Sequence, residues 1–319
     1  MQSPGPISRP AHRWWLSLHE TNVAHVWWEL AAMRVLYGWL VWRMLPAMVP
    51  FHTQPAPNGL GHIFDFTCLA EASVYAPLRL SVLAALVLFA CGLVPLLSLG
   101  WTVLVLISVG TLESSQGAIG HHLQLTCLVA GAQCLAYLGA LGREKGPGLW
   151  RGSIVAHRDA VHAAKLIIVA AYVASACVKL IASGGLWIWQ LPEISLQLVK
   201  THANVYYDTL WPMNTWGAET LPALIAAHPN LTRLFFTPGL LLELFAFLAL
   251  TGRRAGFIIG GGLLVMHLLV RWVMQLSFSA HEWLLVIFFL NFPYLIHLGL
   301  CRWRHGRLET DAPAPNAAG

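Results

Sequence analysis

The sequence predicts an all-α fold, a polytopic integral membrane helical bundle of about eight spans with an outer-side cap of short helices. Three observations predict it. Of 319 residues, 57% are hydrophobic and 10% are charged, whereas soluble domains run roughly 45–50% apolar and about 25% charged. The mean hydropathy is +0.63, which excludes an ordinary soluble globular protein. Apolar runs close to the roughly 20 residues that cross a bilayer recur along the chain, at 26–49, 79–97, 98–114, 119–141, 159–183, 236–251, 253–274 and 279–300.

Residues 1–25 read as a cytoplasmic N-terminal segment without the short apolar core and small-residue cleavage site of a secretory leader, so the first run is expected to stay as a signal-anchor. Between runs one and two, residues 50–78 form an outer loop, in which Asp65–Ala76, DFTCLAEASVYA, is expected as an amphipathic helix lying on the membrane. Runs two and three, and runs six and seven, are joined by tight turns. A second outer loop, 184–235, holds Trp187, Trp189, Trp211 and Trp216, several prolines and few charges, and is expected to be the cap. Residues 301–319 are a basic and then disordered cytoplasmic tail, ending in DAPAPNAAG.

Charge orients the bundle. With the N-terminus inside, Arg9, Arg13, Arg143, Lys145, Arg151, Arg158, Arg253, Arg254, Arg302, Arg304 and Arg307 are cytoplasmic, and Arg79, Lys200 and Arg233 are outside. That asymmetry obeys the positive-inside rule and accounts for the net charge of +5 without a nucleic-acid partner. It places the protein in the cytoplasmic membrane with both termini inside. Six cysteines lack paired or zinc-like spacing.

Five basic residues, Arg34, Arg43, Lys165, Lys179 and Arg271, fall within the runs, where charge is expensive and marks function or pairing. The topology gathers polar residues at one outer level. Glu113 ends run three, His121 and His122 open run four, and Lys179 lies near the outer end of run five. His267 and Arg271 stand one turn apart on run seven, followed by Gln275, and His281 and Glu282 begin run eight. These residues imply a polar cavity opening outward. Each has a structural reading too: Arg271 could pair with Glu113 or Glu282 to fix helix register, the histidine pair could sit at the interface, and Lys179 could snorkel to the headgroups. Arg43, beside Trp42, is expected to anchor at the outer interface, and Glu29 is the candidate partner of the deeper Arg34.

Other signals carry no chemistry. Gly256 and Gly260 form a GxxxG packing face, and Gly260–Gly262 lack the strand-then-helix setting of a nucleotide loop. The histidines lack the repeated boxes of a di-iron enzyme, so no metal site is expected.

The segment Tyr172–Leu180, YVASACVKL, followed by Trp187 and Trp189, resembles the vitamin K-dependent γ-carboxylase family and its bacterial relatives with the horizontally transferred transmembrane (HTTM) domain. Arg34 in ELAAMRVLYGWL, the histidine of AIGHHLQL, and the block from His267 to Pro293 resemble that family in the same order, so the resemblance covers 26–300. It implies that Lys179 is a base for a quinol, with His121 or His122 assisting and the site facing the outer side. In the family, oxygen then turns the hydroquinone into a strong base and carbon dioxide is captured at a glutamyl side chain. Here Ile181 replaces the acid after the Lys-Leu pair, and no large soluble domain follows the spans, so peptide carboxylation is not the expected activity.

The expected function is therefore a membrane enzyme acting on a quinol or isoprenoid-type lipid. Lys179 is the base, His121, His122 and Glu113 assist proton transfer, and Arg271 stabilises negative charge. Tyr172, His267, Gln275, His281, Glu282, Trp187 and Trp189 line the substrate. A vitamin K-like quinol, with O2 and CO2, is the cofactor set that the resemblance implies. Two alternatives stay open: isoprenoid cyclisation, in which an acid starts a carbocation path between aromatic walls, and a non-catalytic membrane protein that binds a peptide or soluble maturation partner through its cap.

Overall fold

The computed structural model describes residues 25–54, 57–117, 122–143, 151–210, 212 and 215–296. They are helical throughout; the only pairing of extended backbone among them is an isolated bridge between Leu93 and Arg151. Among the described residues six helices are long and apolar enough to cross a membrane, so the chain is an integral membrane protein.

The first helix, α1 (Trp27–Met44), starts where Glu29 reaches back to accept the Val26 N–H at 3.2 Å. It has 18 residues and carries Glu29, Arg34 and Arg43, a charge load that sets it apart from those six. The next helix, α2 (Ala72–Ala90), begins earlier than expected and absorbs the end of the 50–78 loop. The stretch 65–76 is thus not one amphipathic helix. Asp65 accepts the Thr67 N–H at 2.8 Å, a 3₁₀ turn runs over Thr67–Ala70, and Glu71 is extended before α2 starts. Those bonds from the Thr67 amide and hydroxyl hold the Asp65 carboxyl below its ordinary range.

The turn after α2 falls at 91–94 rather than 97–98. Gly92 takes φ +74°, which only glycine adopts freely, and Pro95 opens α3 (Pro95–Ser114) at the position where its missing N–H costs nothing. Then follow α4 (His122–Arg143) and α5 (Ile154–Ala182), whose first turn is capped by Ser153 accepting the Ala156 N–H at 3.0 Å. At 29 residues α5 is about 43 Å long, well beyond a hydrocarbon core of about 30 Å. Near its start Asp159 pairs with the exposed Arg143 at 2.5 Å. Helix α5 ends in Gly184 and Gly185, both at positive φ.

The segment 184–235 is built of short helices: α6 (Trp187–Gln190), α7 (Ile194–Thr209), a π turn over Trp216–Thr220, and α8 (Leu221–Ala227). The expected sixth span, 236–251, is not among the helices long enough to cross a membrane. Helix α9 (Pro229–Leu244) starts before it, with Pro229 opening the first turn, and ends at Phe245, after which Ala246–Leu250 tighten into a 3₁₀ turn. The run 236–251 therefore consists of the last part of that 16-residue helix followed by a 3₁₀ turn. Helix α10 (Arg253–Met274) has the expected limits. Helix α11 (Ser279–Leu285) widens into a π turn over Val286–Leu290 and bends at Asn291, at φ +47°, before helical residues continue, so that Ser279–Ile296 is one of the six apolar helices.

Helices α2 to α5 pack on one another in sequence, and α10 lies against α9 and α11. Tyr37, fully buried, holds the centre: its hydroxyl donates to the Thr126 carbonyl at 2.7 Å, and its ring meets Phe89 and Phe288. The GxxxG face behaves as read from the sequence. A Cβ at Gly260 would lie 2.5 Å from the Phe289 Cβ, so α10 touches the π turn through bare backbone.

Candidate functional site

The last three turns of α5 and the facing parts of α9, α10 and α11 line a cavity of about 390 Å3. Its size lies in the small-molecule range of roughly 300–1,000 Å3. Lys179, Glu243, Tyr172, His267, His281 and Trp187 supply the groups that can bond or stack, and Phe236, Leu240, Met266, Met274 and Phe278 are among its apolar walls.

Local sequence places each of them. Tyr172 and Lys179 are two turns apart on α5 and so share a face. Helix α9 comes close to α10 at Gly239, where a Cβ would stand 3.3 Å from Met266 Sδ, and one turn on, Glu243 meets Lys179. Lys179 Nζ donates to Glu243 Oε2 at 2.5 Å, with the lysine side chain 34% exposed and the glutamate 8%. The same ammonium lies 5.6 Å from the Trp187 ring centroid. Deeper in, the Tyr172 hydroxyl and His267 Nε2 share a hydrogen bond of 2.7 Å, both side chains being buried. His281 and Phe278 stack around the His267 ring at 5.6 and 5.3 Å. His267 Nδ1 is buried and has no hydrogen-bond partner among the described residues. A buried ring nitrogen left so is costly unless a ligand or water meets it.

Beside the cavity, Arg271 Nη2 donates to Glu282 Oε2 at 2.5 Å, so Glu282 rather than Glu113 is its partner. This pair closes the loop between α10 and α11 and neutralises the arginine. Gln275 caps α10 in the left-handed region, with Met274 and Leu276 on either side lining the cavity in its place. Trp189 turns to Arg233, whose guanidinium lies 4.8 Å from its ring centroid. Glu113 ends α3, which packs between α2 and α4, and it does not reach this cavity. His121 and the side chain of His122 lie outside the described residues.

Glu243 is the member that the sequence reading passed over. Its sequence signal is an acid within an apolar run, as expensive there as a base. Glu29 was assigned to Arg34, yet it accepts from Arg253 at 2.7 and 3.1 Å and from Asn291, tying α1 to α10 and α11. Arg34 instead lies against Gly92 and His157, whose Nδ1 is 2.7 Å from the Tyr137 hydroxyl. Arg43 stacks on Trp39 at 5.7 Å. Among the described residues no three His, Cys, Asp or Glu side chains stand close enough together to hold a metal ion.

No protein-family model, curated protein or solved structure matches the chain.

Proposed function

We propose that the protein is a membrane enzyme that takes a proton from a hydroxyl of a quinol or isoprenoid-type lipid in the cavity beside Lys179. One observation carries this reading: two hydrogen-bonded pairs of titratable side chains, Lys179–Glu243 and Tyr172–His267, line a single cavity whose other walls are largely apolar. An apolar ring or prenyl chain fits among Phe236, Met266, Met274 and Phe278, with its hydroxyl toward the pairs.

The Lys179–Glu243 pair is the base unit. Neutral as a whole, it accepts the substrate proton and becomes singly positive opposite the oxyanion that forms, so charge separates over a short distance away from bulk water. His267 Nδ1 is the free valence that a ligand oxygen meets, and its Tyr172 bond fixes which way the ring faces. Trp187 covers the ammonium and limits access of water.

The test is mass spectrometry of lipids and prenyl compounds that co-purify with the wild type, with Lys179→Ala and Glu243→Gln, and with an unrelated membrane protein from the same host. The expected result is an enriched quinone, quinol or prenyl species whose amount or redox form changes in both variants. Bulk phospholipid alone in all samples overturns the reading and favours a non-catalytic interaction protein.

A further inference from the structure

Helix α7, in the segment between α5 and α9, carries three different faces. One is buried: Leu198, Thr201 and His202 turn inward, and α7 rests on α8, on the π turn of 216–220 and on α10. The contact is close, since a Cβ at Gly217 in that π turn would overlap the His202 ring. A second face is polar. Glu193 at the N-terminal cap, Gln197, Lys200, Asn204 and Asp208 recur every three or four residues and so share one side of the helix, half-buried at Gln197 and exposed at the rest. The third face is apolar and uncovered: Leu196, Val199, Ala203, Tyr206 and Tyr207 also keep helical spacing, and Leu196 and Tyr207 are 71% and 76% exposed.

The residue that ends the helix is apolar and uncovered too. Leu210 takes φ +56°, a region that leucine rarely adopts, and it is exposed. Three surroundings can be compared. In water the apolar face would stand bare beside the polar one. Upright in a bilayer, the helix would carry Lys200 and Asp208 into hydrocarbon, and at 16 residues, about 24 Å, it falls short of a core of about 30 Å. Lying flat at the boundary between headgroups and acyl chains, it satisfies both faces at once. Tyrosine is among the residues enriched at that level.

The position of α7 on the molecule agrees. Helix α10 has 22 residues, about 33 Å, which is just enough to cross the core, so its last residue, Met274, falls at a bilayer surface. Met274 lines the Lys179 cavity together with Ile194, the first residue of α7. Helix α7 therefore starts at the level where a span leaves the hydrocarbon. Leu268, Leu269 and Trp272, exposed over the last two turns of α10, give acyl chains a contact surface at that same end.

We infer that α7 is an in-plane membrane helix, lying in the leaflet at that end of α10 with Leu196, Val199, Tyr206 and Tyr207 among the acyl chains and Lys200, Asn204 and Asp208 toward the headgroups and water. The partner of its apolar face is the lipid of the bilayer. This inference does not depend on the chemistry of the Lys179 cavity.

The test uses the full chain in phosphatidylcholine nanodiscs doped with a phosphatidylcholine that carries a diazirine near the carbonyl end of one acyl chain. Photolabelled residues are read by peptide mass spectrometry, with Leu269, exposed near the end of α10, as the lipid-facing reference. Leu196, Val199, Tyr206 and Tyr207 are expected to take up label as Leu269 does, and Asn204 and Asp208 to stay unlabelled. The double variant Leu196→Asn with Tyr207→Asn changes two exposed side chains and so keeps the fold. It is expected to lose the label at Val199 and Tyr206 while keeping that at Leu269. Label at Leu269 with none on the apolar face of α7 overturns the inference, and cross-links between copies through Lys200 would then assign that face to a second copy of the chain. Equal label on the apolar face and at Asn204 and Asp208 also overturns it, because the helix is then immersed rather than lying flat. Unchanged label in the double variant does the same, because the apolar face is then not what holds the helix in the leaflet.

Discussion

Helix α10 carries an arginine near each end, and the two have been treated in opposite ways. Near its start Arg253 is locked to a glutamate of zero exposure, covered by Tyr294, and joined through Glu29 to Asn291 and the beginning of α1. Near its end Arg271 meets Glu282 with 43% of its side chain exposed, and close by Lys179 meets Glu243 with 34% exposed. The first arrangement joins three elements that are far apart in sequence, and both oxygens of its buried carboxylate are occupied. The second borders a cavity with an unsatisfied histidine nitrogen. Cation–glutamate pairs thus serve different ends. A pair whose carboxylate is fully buried and fully bonded fixes helix register, whereas a more exposed pair beside an unsatisfied polar group remains available to a ligand.

The largest effect is expected where that register is fixed. Glu29→Ala leaves Arg253 and Asn291 without their acceptor in a buried site and should destabilise the fold by about 3–5 kcal/mol. Tryptophan-fluorescence melts in detergent measure it, with Glu243→Ala as the counterpart, expected to lose much less. Equal losses from the two would erase the distinction between clamp and site.

Packing along α10 comes next. The Gly260→Ala methyl would meet the Phe289 Cβ, and with a β-carbon rather than a flexible tip in the way, the cost should be about 1–3 kcal/mol. The same melts check it, and a neutral result would show that the π turn of 286–290 shifts freely.

Two buried tyrosines sharpen the contrast further. Tyr37→Phe removes a hydroxyl whose partner is the Thr126 carbonyl, and about 1 kcal/mol of stability should go with it. Tyr172→Phe should cost no more, but it frees His267 to turn and is expected to alter the co-purifying lipid profile, which Tyr37→Phe leaves unchanged. An identical lipid profile in both variants would remove Tyr172 from the site.

Much of this was legible in the sequence, for reasons that particular residues make plain. The limits of α10 followed from the apolar run between Arg253 and Gln275, and the grouping of Lys179, His267 and His281 followed from counting helix directions, with Tyr172 joined to them by the family resemblance alone. The failures share one cause, which is that hydropathy does not register backbone events. Pro229 and Phe245 set the ends of α9 across an apolar stretch that reads as continuous, and Glu71 starts α2 inside what looks like a loop. Partner choice was illegible for a different reason. Glu29 and Arg34 are close in sequence, but Glu29 is satisfied by Arg253, more than two hundred residues away, and no local pattern announces that.

The smallest expected effect is the most informative about the candidate site. A double-mutant cycle of Lys179→Met and Glu243→Gln reports the coupling of the pair to stability, and with the lysine a third exposed it should be about 1 kcal/mol or less. The same four proteins, assayed for lipid bound or converted, should show the two single variants each losing nearly as much as the double, because either residue alone cannot act as the base unit. Strong coupling in stability with additive losses in lipid handling would reverse the assignment, making Lys179–Glu243 a second clamp of the Glu29 kind and moving the chemistry to Tyr172 and His267.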